Sequence, residues 1–246
     1  VQIMSGDIQR KAHDEANAAL VQRLCELSGP VIDWLCVRHH LNLTLVEGFL
    51  YPGHSVPRMH APPSRAGADL MADLSRAVAV ADIPVMTQAH VTDLYADTHG
   101  GVTGTRIERP DGGVEYIGCE VLILACNGFG GNADMVQTHI PDMADALYFG
   151  HQGNQGDAIV WGQALGAETR HLGSYQGHGS VAQPHGILIS WALMMQGGLQ
   201  INCDGKRFSN EHQGYSEQAR RVIAQPGGTV WNLFDARLLH LGRGFE

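Results

Sequence analysis

Residues 121–132 have the sequence VLILACNGFGGN, and the prediction of the fold depends on this stretch. Its first five residues, 121–125, are all apolar, as in a short strand that is buried on both faces. The seven residues that follow contain three glycines around Phe129. Glycine lets a backbone turn tightly and lets a ligand approach without a Cβ in the way. The stretch therefore predicts a buried strand that leads into the floor of a site for a flat or phosphorylated ligand. A buried strand that ends in a tight turn, without any ligand, is the simpler alternative.

The same glycines can be fitted to a dinucleotide fingerprint, since Gly128, Gly130 and Ala133 form a GxGxxA pattern. That motif requires a full helix and then a parallel strand with an acidic residue near its end. The helical pattern over residues 133–139 stops before Pro141, and no Val/Ile-rich segment follows it. We therefore reject residues 121–133 as the first βαβ unit of a dinucleotide-binding fold.

Composition excludes several classes of function. A net charge of −9 lacks the basic footprint of a protein that binds nucleic acid non-specifically. The five cysteines are scattered without a CxxC pair, which predicts a reducing, cytoplasmic compartment. No apolar run approaches the length of a membrane span and no secretory signal pattern opens the chain, so we expect no membrane insertion.

Periodicity and turn residues predict the secondary structure. Helices are predicted over residues 7–27, from Pro30 onward after a break at 28–30, and over 64–81, 133–139, 158–165 and 215–224. Asp7, Ser64 and Asp157 are predicted helix caps. Strands are predicted over residues 41–46, 84–87, 91–96, 102–108, 114–118, 121–124 and 229–234, with a hairpin at 197–208. Glycine-rich turns between the middle strands predict an antiparallel meander that leads into the buried strand.

Several polar residues are candidates for a site. Arg58 and His60 lie in a proline-rich segment, 48–66, where they could line a polar cleft or simply remain solvated. The backbone N–H groups that follow Gly156 could face an anion, although Asp157 needs no ligand to act as a cap.

Three histidines spaced by seven, His171, His178 and His185, suggest a metal site at first sight. Glycines and a proline among them exclude a continuous helix, so the spacing defines no geometry. No HExxH motif or Cys/His cluster occurs elsewhere, and we predict no metal site. His178, between two glycines, is better interpreted as an exposed imidazole or one that faces a cleft.

An ordered series of motifs resembles a known family. The motifs are CNGFGGN at 126–132, QGDAIVWGQALGA at 155–167, YQGHG at 175–179, GGLQINCDGKRFSNE at 197–211 and WNLFDAR at 231–237. Over residues 24–237 the chain resembles the flavoprotein family of fumarate reductases, succinate dehydrogenases and 3-ketosteroid Δ1-dehydrogenases. The resemblance implies an α/β fold with α+β character, in which a Rossmann-type FAD-binding domain with an antiparallel meander is joined to a smaller α+β capping domain. Residues 1–172 would then be the middle of the FAD-binding domain, without its N-terminal GxGxxG segment. Residues 173–246 would be a capping domain that is incomplete at its C-terminus.

The same resemblance implies the residues that bind FAD. Residues 125–128 stand where the family has Ala-Thr-Gly-Gly beside the cofactor, so the Thr and first Gly are replaced here while the backbone contact remains. Residues 156–157 match a Gly-Asp pair near the flavin, and residues 90–91 match a strand whose backbone meets the adenine end. The predicted cofactor-binding residues are His90, Val91, Ala125, Cys126, Asn127, Gly128, Gly156 and Asp157.

Substrate chemistry is implied less directly. His178 matches the histidine that binds a substrate carboxylate in fumarate reductases, and their nearby Thr-Glu pair corresponds to Ser190 and Trp191. Their proton-donating arginine corresponds to Tyr215. A proton relay needs a titratable group, which Trp191 is not. Tyr215 instead resembles the tyrosine with which 3-ketosteroid dehydrogenases help to remove a proton next to a ketone.

The resemblance therefore favours an FAD-dependent oxidoreductase that exchanges hydride with a C–C bond next to the carbonyl of a ketone or steroid-like substrate. Tyr215 would transfer the proton and His178 would orient the substrate, with Arg58, His60 and residues 190–191 as substrate contacts. A dicarboxylate reaction of the fumarate or succinate type is one alternative, and a flavin-free, non-catalytic module is another. The expected partners are a small-molecule substrate and an unidentified electron donor or acceptor.

Overall fold

The computed structural model describes residues 1–47 and 50–243, which form two compact units. The first unit comprises Val1–Pro84, Ser180–Tyr215 and Val230–Glu246, and the second comprises Val85–Gly179 and Ser216–Thr229. The predicted proline-rich segment begins at Gly48, which lies outside the described residues. Helices and antiparallel strands occur together, which confirms a mixed helix/strand fold. The finer architecture, a Rossmann-type domain with a cap divided near residue 172, stays a prediction.

Helices and strands follow in chain order. The described α-helices are α1 (Gln2–Lys11), α2 (Ala18–His39), α3 (Gly67–Val80), α4 (Ala133–His139), α5 (Asp157–Ala164), α6 (Ala192–Met195), α7 (Tyr215–Ile223) and α8 (Ala236–Gly242). The described strands are β1 (Thr44–Leu45), β2 (His60–Ala61), β3 (His90–Ala96), β4 (Val102–Glu108), β5 (Val114–Gly118), β6 (Val181–Ala182), β7 (Ile187–Leu188), β8 (Leu199–Ile201) and β9 (Trp231–Leu233). Among these helices none is both long and apolar enough to cross a membrane.

The N-terminal helical region differs from the prediction in two ways. The single helix predicted over 7–27 is divided into α1 and α2, because Asn17 caps α2 by accepting hydrogen bonds from the N–H groups of Ala19 and Leu20. The predicted break at Pro30 is wrong, since α2 continues through it to His39. Packing of α2 against α1 compensates for the hydrogen bond that proline cannot donate.

The caps predicted for two helices are also different. Asp7 is not a cap but a buried residue inside α1. Ser64 does not cap α3, because the N-cap of α3 is Ala66. Oγ of Ser64 instead accepts a hydrogen bond from the N–H of Ala66. The helices predicted over 64–81, 133–139 and 215–224 are present within a few residues of those bounds.

The antiparallel meander is confirmed. Strands β3, β4 and β5 pair in sequence order, and Ile107 of β4 is buried. The turn between β4 and β5 is stabilised by Asp111, whose carboxylate accepts a hydrogen bond from the N–H of Gly113. Local alternation and turn residues were sufficient to predict this sheet, because each strand pairs with its neighbour in sequence.

The buried strand predicted at residues 121–125 is wrong. The segment has no strand conformation, and Val121 and Ile123 are 79% and 83% exposed. A strand needs a hydrogen-bonded neighbour, and no strand of the described chain lies beside this segment. The strand predicted at 84–87 is absent for the same reason, and that predicted at 41–46 is reduced to β1, which pairs only with β2.

The hairpin predicted at 197–208 is present only around its turn, where Ile201 bridges Arg207 and the N–H of Asn202 donates to the carbonyl of Lys206 at 3.0 Å. Strand β8 pairs with β9, which is distant in sequence. The strand predicted at 229–234 is thus present as β9. Next to this sheet lies the hydrophobic core of the first unit, formed by Trp191, Leu193, Met194 and Leu238.

The burial of Met194 and the exposure of Ile123 predict a large effect for one truncation and a small effect for the other. Met194→Ala removes a side chain that is 0% exposed and should lower the free energy of unfolding by about 2–5 kcal/mol. Ile123→Ala should change it by less than about 0.5 kcal/mol, because Ile123 is exposed. Urea unfolding of both variants measures the difference, and equal losses would mean that residues 121–124 are packed.

Candidate functional site

Hydrogen bonds join two glycine-rich loops of the second unit. The N–H of Gly156 donates to the carbonyl of Gly128 at 3.1 Å, and the N–H of Gly131 donates to the carbonyl of Asn154 at 2.9 Å. The side-chain amide of Gln155 donates back to the carbonyl of Gly131 at 3.0 Å. The structure therefore brings together two parts of the predicted cofactor site, residues 125–128 and 156–157.

Steric constraints explain two of these glycines. Gly156 is buried with φ +88°, and a Cβ there would lie 2.5 Å from Sδ of Met135 and 3.0 Å from Cβ of Phe129. A Cβ on Gly128 would instead enter space free of any described atom within 4 Å. Gly156 thus allows the loops to pack, while Gly128 leaves its backbone open to a ligand.

Asn127 keeps a backbone conformation that usually requires glycine. Its φ of 64° is left-handed, and asparagine is among the non-glycine residues that adopt this region most readily. Ala125, Cys126 and Asn127 are exposed, so the segment before Gly128 lies at the surface of the second unit. Asn127 therefore forms the turn before Gly128 without needing a glycine.

The remaining predicted cofactor residues lie at the starts of α5 and β3. The prediction that Asp157 caps α5 is wrong, because Gly156 occupies the N-cap and Asp157 is the first helical residue. His90 and Val91 begin β3, in register with Glu108 and Ile107 of β4. Among the described hydrogen bonds none joins them to the glycine-rich loops.

A buried carboxylate, Glu211, lies shortly before Tyr215 in the first unit. Glu211 is 1% exposed and accepts hydrogen bonds from the N–H of Gln200 at 2.8 Å and Nε of Arg207 at 3.1 Å. Burial alone would raise the pKa of Glu211, but the hydrogen bonds from Arg207 and Gln200 hold it below its usual value. Tyr215 directly follows Gly214, which has a φ of 124°, a backbone conformation that favours glycine. The GKRFSNE motif is thus a structural support for the start of α7.

Tyr215 contacts a second tyrosine that sequence reasoning did not select. It packs against the core of the first unit, and its ring centroid lies 6.5 Å from that of Tyr51, with the rings at 88°. Burial, and next the proximity of Tyr215, raise the pKa of Tyr51. No sequence signal distinguished Tyr51 from other loop aromatics, because the two tyrosines are far apart in the chain.

A cavity of about 770 Å³ lies in the first unit between α1, α2 and residues 51–60. Its apolar lining includes Met4, Ile8, Ile32 and Met59, and its polar lining includes Asp7, Lys11, Tyr51, His54, Arg58 and His60. The structure therefore brings the predicted substrate contacts Arg58 and His60 to one cavity together with Tyr51. Nδ1 of His60 donates a hydrogen bond to the carbonyl of Arg58 at 3.1 Å.

Asp7 fixes one wall of this cavity. Its carboxylate is 3% exposed and accepts hydrogen bonds from the N–H of Ser55 at 2.9 Å, Oγ of Ser55 at 2.5 Å and Nη2 of Arg58 at 2.8 Å. Arg10 donates to the same carboxylate. The hydrogen bonds from Ser55 and the two guanidinium groups hold the pKa of Asp7 well below its usual range. These bonds attach residues 55–58 to α1.

The predicted contacts at residues 190–191 lie in the core region rather than at the cavity. Trp191 is buried in the cluster against which Tyr215 packs, and Ser190 is half-buried. Oγ of Ser190 accepts a hydrogen bond from the N–H of Ala192 at 3.4 Å. Direct binding of substrate by Ser190 and Trp191 therefore stays a prediction. Trp191 is part of the core on which Tyr215 packs.

His178 lies in the second unit, half-buried between two glycines that pack against α7. A Cβ on Gly177 would lie 2.6 Å from Cβ of Ala219, and Oγ of Ser216 donates to the Gly177 carbonyl at 3.3 Å. The YQGHG motif is thus required for close packing on a helix. Across the described residues no cluster of His, Cys, Asp and Glu could hold a metal ion.

Comparison with known proteins identifies the family. The family described as FAD binding domain matches residues 8–237, so this chain belongs to it, and its cofactor is FAD. The open backbone at Gly128, the left-handed Asn127 and the packed Gly156 fit such a cofactor, since a flat ligand can approach this loop closely.

Particular relatives are fumarate reductases and ketosteroid dehydrogenases. The chain is 28% identical over 225 residues to the NADH:fumarate oxidoreductase of Klebsiella pneumoniae (strain 342). The aligned residues are 91% of this chain and 24% of that protein. A flavocytochrome c3 fumarate reductase in its open conformation has a TM-score of 0.83 at 24% identity, over 98% of this chain and 43% of that one. The 3-ketosteroid-Δ4-(5α)-dehydrogenase from Rhodococcus jostii RHA1 has a TM-score of 0.73 at 18% identity, over 98% of this chain and 54% of that one. The two structural likenesses concern the fold alone, and the chain spans between about a quarter and a half of these proteins.

Two left-handed glycines provide a matched test of the loop packing. Gly156 and Gly166 have φ of +88° and +84°, but a Cβ on Gly166 enters open space among the described residues. Gly166→Ala should lower the free energy of unfolding by about 1 kcal/mol through backbone strain. Gly156→Ala should cost a further 1–3 kcal/mol, roughly, through the clash with Met135. Chemical denaturation measures both, and equal effects would contradict the packing role of Gly156.

Acid should weaken the first unit through Asp7. Its folded-state pKa is depressed, so its stabilisation is present above the unfolded pKa, near 4, and is lost as the pH falls below that value. The urea midpoint of the wild type should therefore fall more between pH 6 and pH 3 than that of Asp7→Asn. Asp33→Asn, at an exposed position of α2, is the control and should show the wild-type dependence. An Asp7→Asn variant with the full acid dependence would exclude this role.

Proposed function

We propose that this protein is an FAD-dependent oxidoreductase that exchanges hydride with a C–C bond next to the carbonyl of a ketone. The observation that carries the proposal is the position of Tyr215, which packs against the core of the first unit beside the ring of Tyr51. FAD supplies the hydride chemistry when it is bound. The chain's own residues must then bind the substrate, orient it and move one proton.

Tyr215 is the group proposed to move that proton. Removing or adding hydride at one carbon requires the loss or gain of a proton at the carbon next to the carbonyl, and a phenol hydroxyl can exchange it. Burial, and next the neighbouring Tyr215, raise the pKa of Tyr51, so the Tyr51 hydroxyl keeps its proton at neutral pH. Tyr51 is therefore suited to donate a hydrogen bond rather than to act as the base.

The cavity of the first unit supports an organic substrate larger than a simple dicarboxylate. Its volume of about 770 Å³ falls within the range of sites for small organic molecules, roughly 300–1,000 Å³. Met4, Ile8 and Ile32 exclude water from an apolar substrate body, while Arg58 and His60 offer polar contacts. We assign the orientation of the substrate to His178, because His178 matches the substrate-binding histidine of the family that the chain resembles.

A dicarboxylate reaction of the fumarate type is the second candidate. It is favoured by the sequence relationship to an NADH:fumarate oxidoreductase and by the cationic Lys11 and Arg58 at the cavity. Against it stand Tyr215 and Trp191, which lack the charge that a dicarboxylate site and its proton relay require. Turnover of a 3-ketosteroid or a simpler cyclic ketone against turnover of fumarate distinguishes the two candidates.

The proposal predicts the effect of removing one hydroxyl. Tyr215→Phe should reduce turnover of a ketone substrate by about 10²–10⁴-fold, because the proton-transfer group is lost while the ring still packs. The flavin absorbance per protein should not change, since Tyr215 is not among the predicted cofactor residues. Tyr116→Phe, on the exposed face of β5, is the matched control and should retain full turnover. Unchanged turnover in Tyr215→Phe would remove Tyr215 from the mechanism.

A further inference from the structure

The chain carries one Asn-Gly sequence, Asn127-Gly128, in the first glycine-rich loop of the second unit. Each of its other seven asparagines is followed by a residue with a side chain. The main-chain nitrogen of the residue after an asparagine can attack Cγ of the asparagine and close a five-membered ring. A Cβ on that next residue crowds the attack, and glycine removes this obstacle. Asn127 therefore has the sequence neighbour that favours this reaction most.

The structure leaves both reacting groups of this pair without hydrogen bonds. Among the hydrogen bonds of the described residues, none involves the side-chain amide of Asn127 or the N–H of Gly128. Asn127 is exposed, and the segment belongs to no helix or strand of the described chain. A Cβ on Gly128 would find no described atom within 4 Å, so the main chain has free space beside it. Neither a partner nor a packed neighbour therefore opposes ring closure.

Two other asparagines of the same pair of loops are held by their side chains. Oδ1 of Asn132 accepts a hydrogen bond from the N–H of Met135 at 3.1 Å, and its Nδ2 donates to the carbonyl of Gln155 at 3.0 Å. Nδ2 of Asn154 donates to the hydroxyl oxygen of Tyr148 at 2.7 Å. These bonds must break before Cγ can turn toward the main chain. Asn132 and Asn154 are therefore internal controls for Asn127.

We propose that Asn127 is a site of spontaneous covalent modification, at which the chain converts its own asparagine to aspartate and isoaspartate. The Gly128 nitrogen bonds to Cγ of Asn127, the bond from Cγ to Nδ2 breaks, and ammonia leaves with the proton of the Gly128 N–H. Water then opens the ring. Cleavage between Cγ and the Gly128 nitrogen gives aspartate, and cleavage of the original main-chain amide gives isoaspartate. The reaction consumes one water, releases one ammonia and oxidises nothing.

The product adds a negative charge to a loop in which cofactor-binding residues are predicted. FAD is itself an anion, because it contains a pyrophosphate, so a carboxylate at residue 127 should oppose its binding. Isoaspartate also adds one carbon to the main chain at a residue whose φ of 64° forms the turn. Bound FAD, in return, should cover the loop and slow the reaction. This link rests on the assignment of residues 125–128 to FAD in the proposed function, whereas the modification itself does not.

The first measurement uses the full chain without added cofactor. The folded protein and a sample unfolded in guanidinium chloride are incubated at mildly alkaline pH, and peptide mass spectrometry with isoaspartate-specific methyl transfer follows each asparagine. Residue 127 should lose its amide about as fast in the folded chain as in the unfolded one, because the described loop gives its amide no partner. Asn132 and Asn154 should keep their amides in the folded chain.

A methyl group on the next residue tests the route of the reaction. Gly128→Ala places this group in free space, so the fold should remain, but the Cβ should slow the modification by about tenfold, which corresponds to roughly 1.4 kcal/mol of added barrier. Gly67→Ala, at the first position of α3, also places a Cβ in space free of described atoms. It is the matched control and should leave the rate at residue 127 unchanged.

FAD provides a second readout that needs no turnover. Saturating FAD should slow the modification of residue 127 in the wild type. Asn127→Asp should bind FAD about three- to tenfold more weakly than Asn127→Gly, because of its added charge. Both variants lack the reactive amide, and both residue types adopt a left-handed backbone more readily than most others, so the comparison isolates the charge. Titration of flavin fluorescence measures both affinities.

The outcomes separate the modification from the cofactor assignment. If residue 127 keeps its amide in the folded chain while the unfolded chain loses it, the inference fails, whatever becomes of the proposed function. An equal rate in Gly128→Ala and the wild type would also overturn it, because ring closure at Gly128 would then not be the route. If FAD leaves the rate unchanged and the two variants at residue 127 bind FAD equally, the modification stands and the assignment of residues 125–128 to the cofactor fails.

Discussion

A buried carboxylate must be surrounded by hydrogen-bond donors, and the first unit depends on this constraint twice. Asp7 and Glu211 are almost fully buried; Asp7 accepts hydrogen bonds from Ser55 and Arg58, and Glu211 accepts them from Arg207 and Gln200. Leaving such a charge without its partners is strongly unfavourable, so those segments have little freedom to move apart. Asp7 thereby fixes the segment that follows Tyr51, and Glu211 fixes the turn that precedes Tyr215. Tyr51 and Tyr215 each lie within a few residues of one of these carboxylates or its partners, and their rings are in contact.

The second unit relies on backbone contacts rather than on ion pairs. Its glycine-rich loops are joined by main-chain hydrogen bonds, and the buried Gly156 has no room for a side chain. Gly177 allows a similarly close approach to α7. A loop that is held by backbone contacts tolerates changes of side chain, and Asn127 adopts there a left-handed conformation that favours glycine.

Sequence reasoning succeeded where the signal was local or ordered along the chain. The meander followed from alternation and glycine turns, and the series of motifs identified the flavoprotein family and FAD before any coordinates. Sequence reasoning failed where a predicted strand needs a partner strand that the local pattern does not specify. Five consecutive apolar residues at 121–125 have the composition of a buried strand, yet no strand of the described chain pairs with them, and Val121, Ile123 and Leu124 are exposed. Sequence reasoning also failed at Asp7. Asp is a residue type typical of a helix cap, but Asp7 lies inside α1 and binds donors some fifty residues away.

By itself the sequence determined the class of protein, the cofactor, the meander and the candidacy of Tyr215, because each depends on residues in a short window or on the order of such windows. The tertiary structure alone decided that Tyr51 contacts Tyr215, that Arg58 lines a cavity with Lys11, and that Trp191 belongs to the core. These are contacts between segments separated by tens to more than a hundred residues. Their formation depends on which buried charges and apolar faces find partners when the whole chain packs, and no local pattern carries that information.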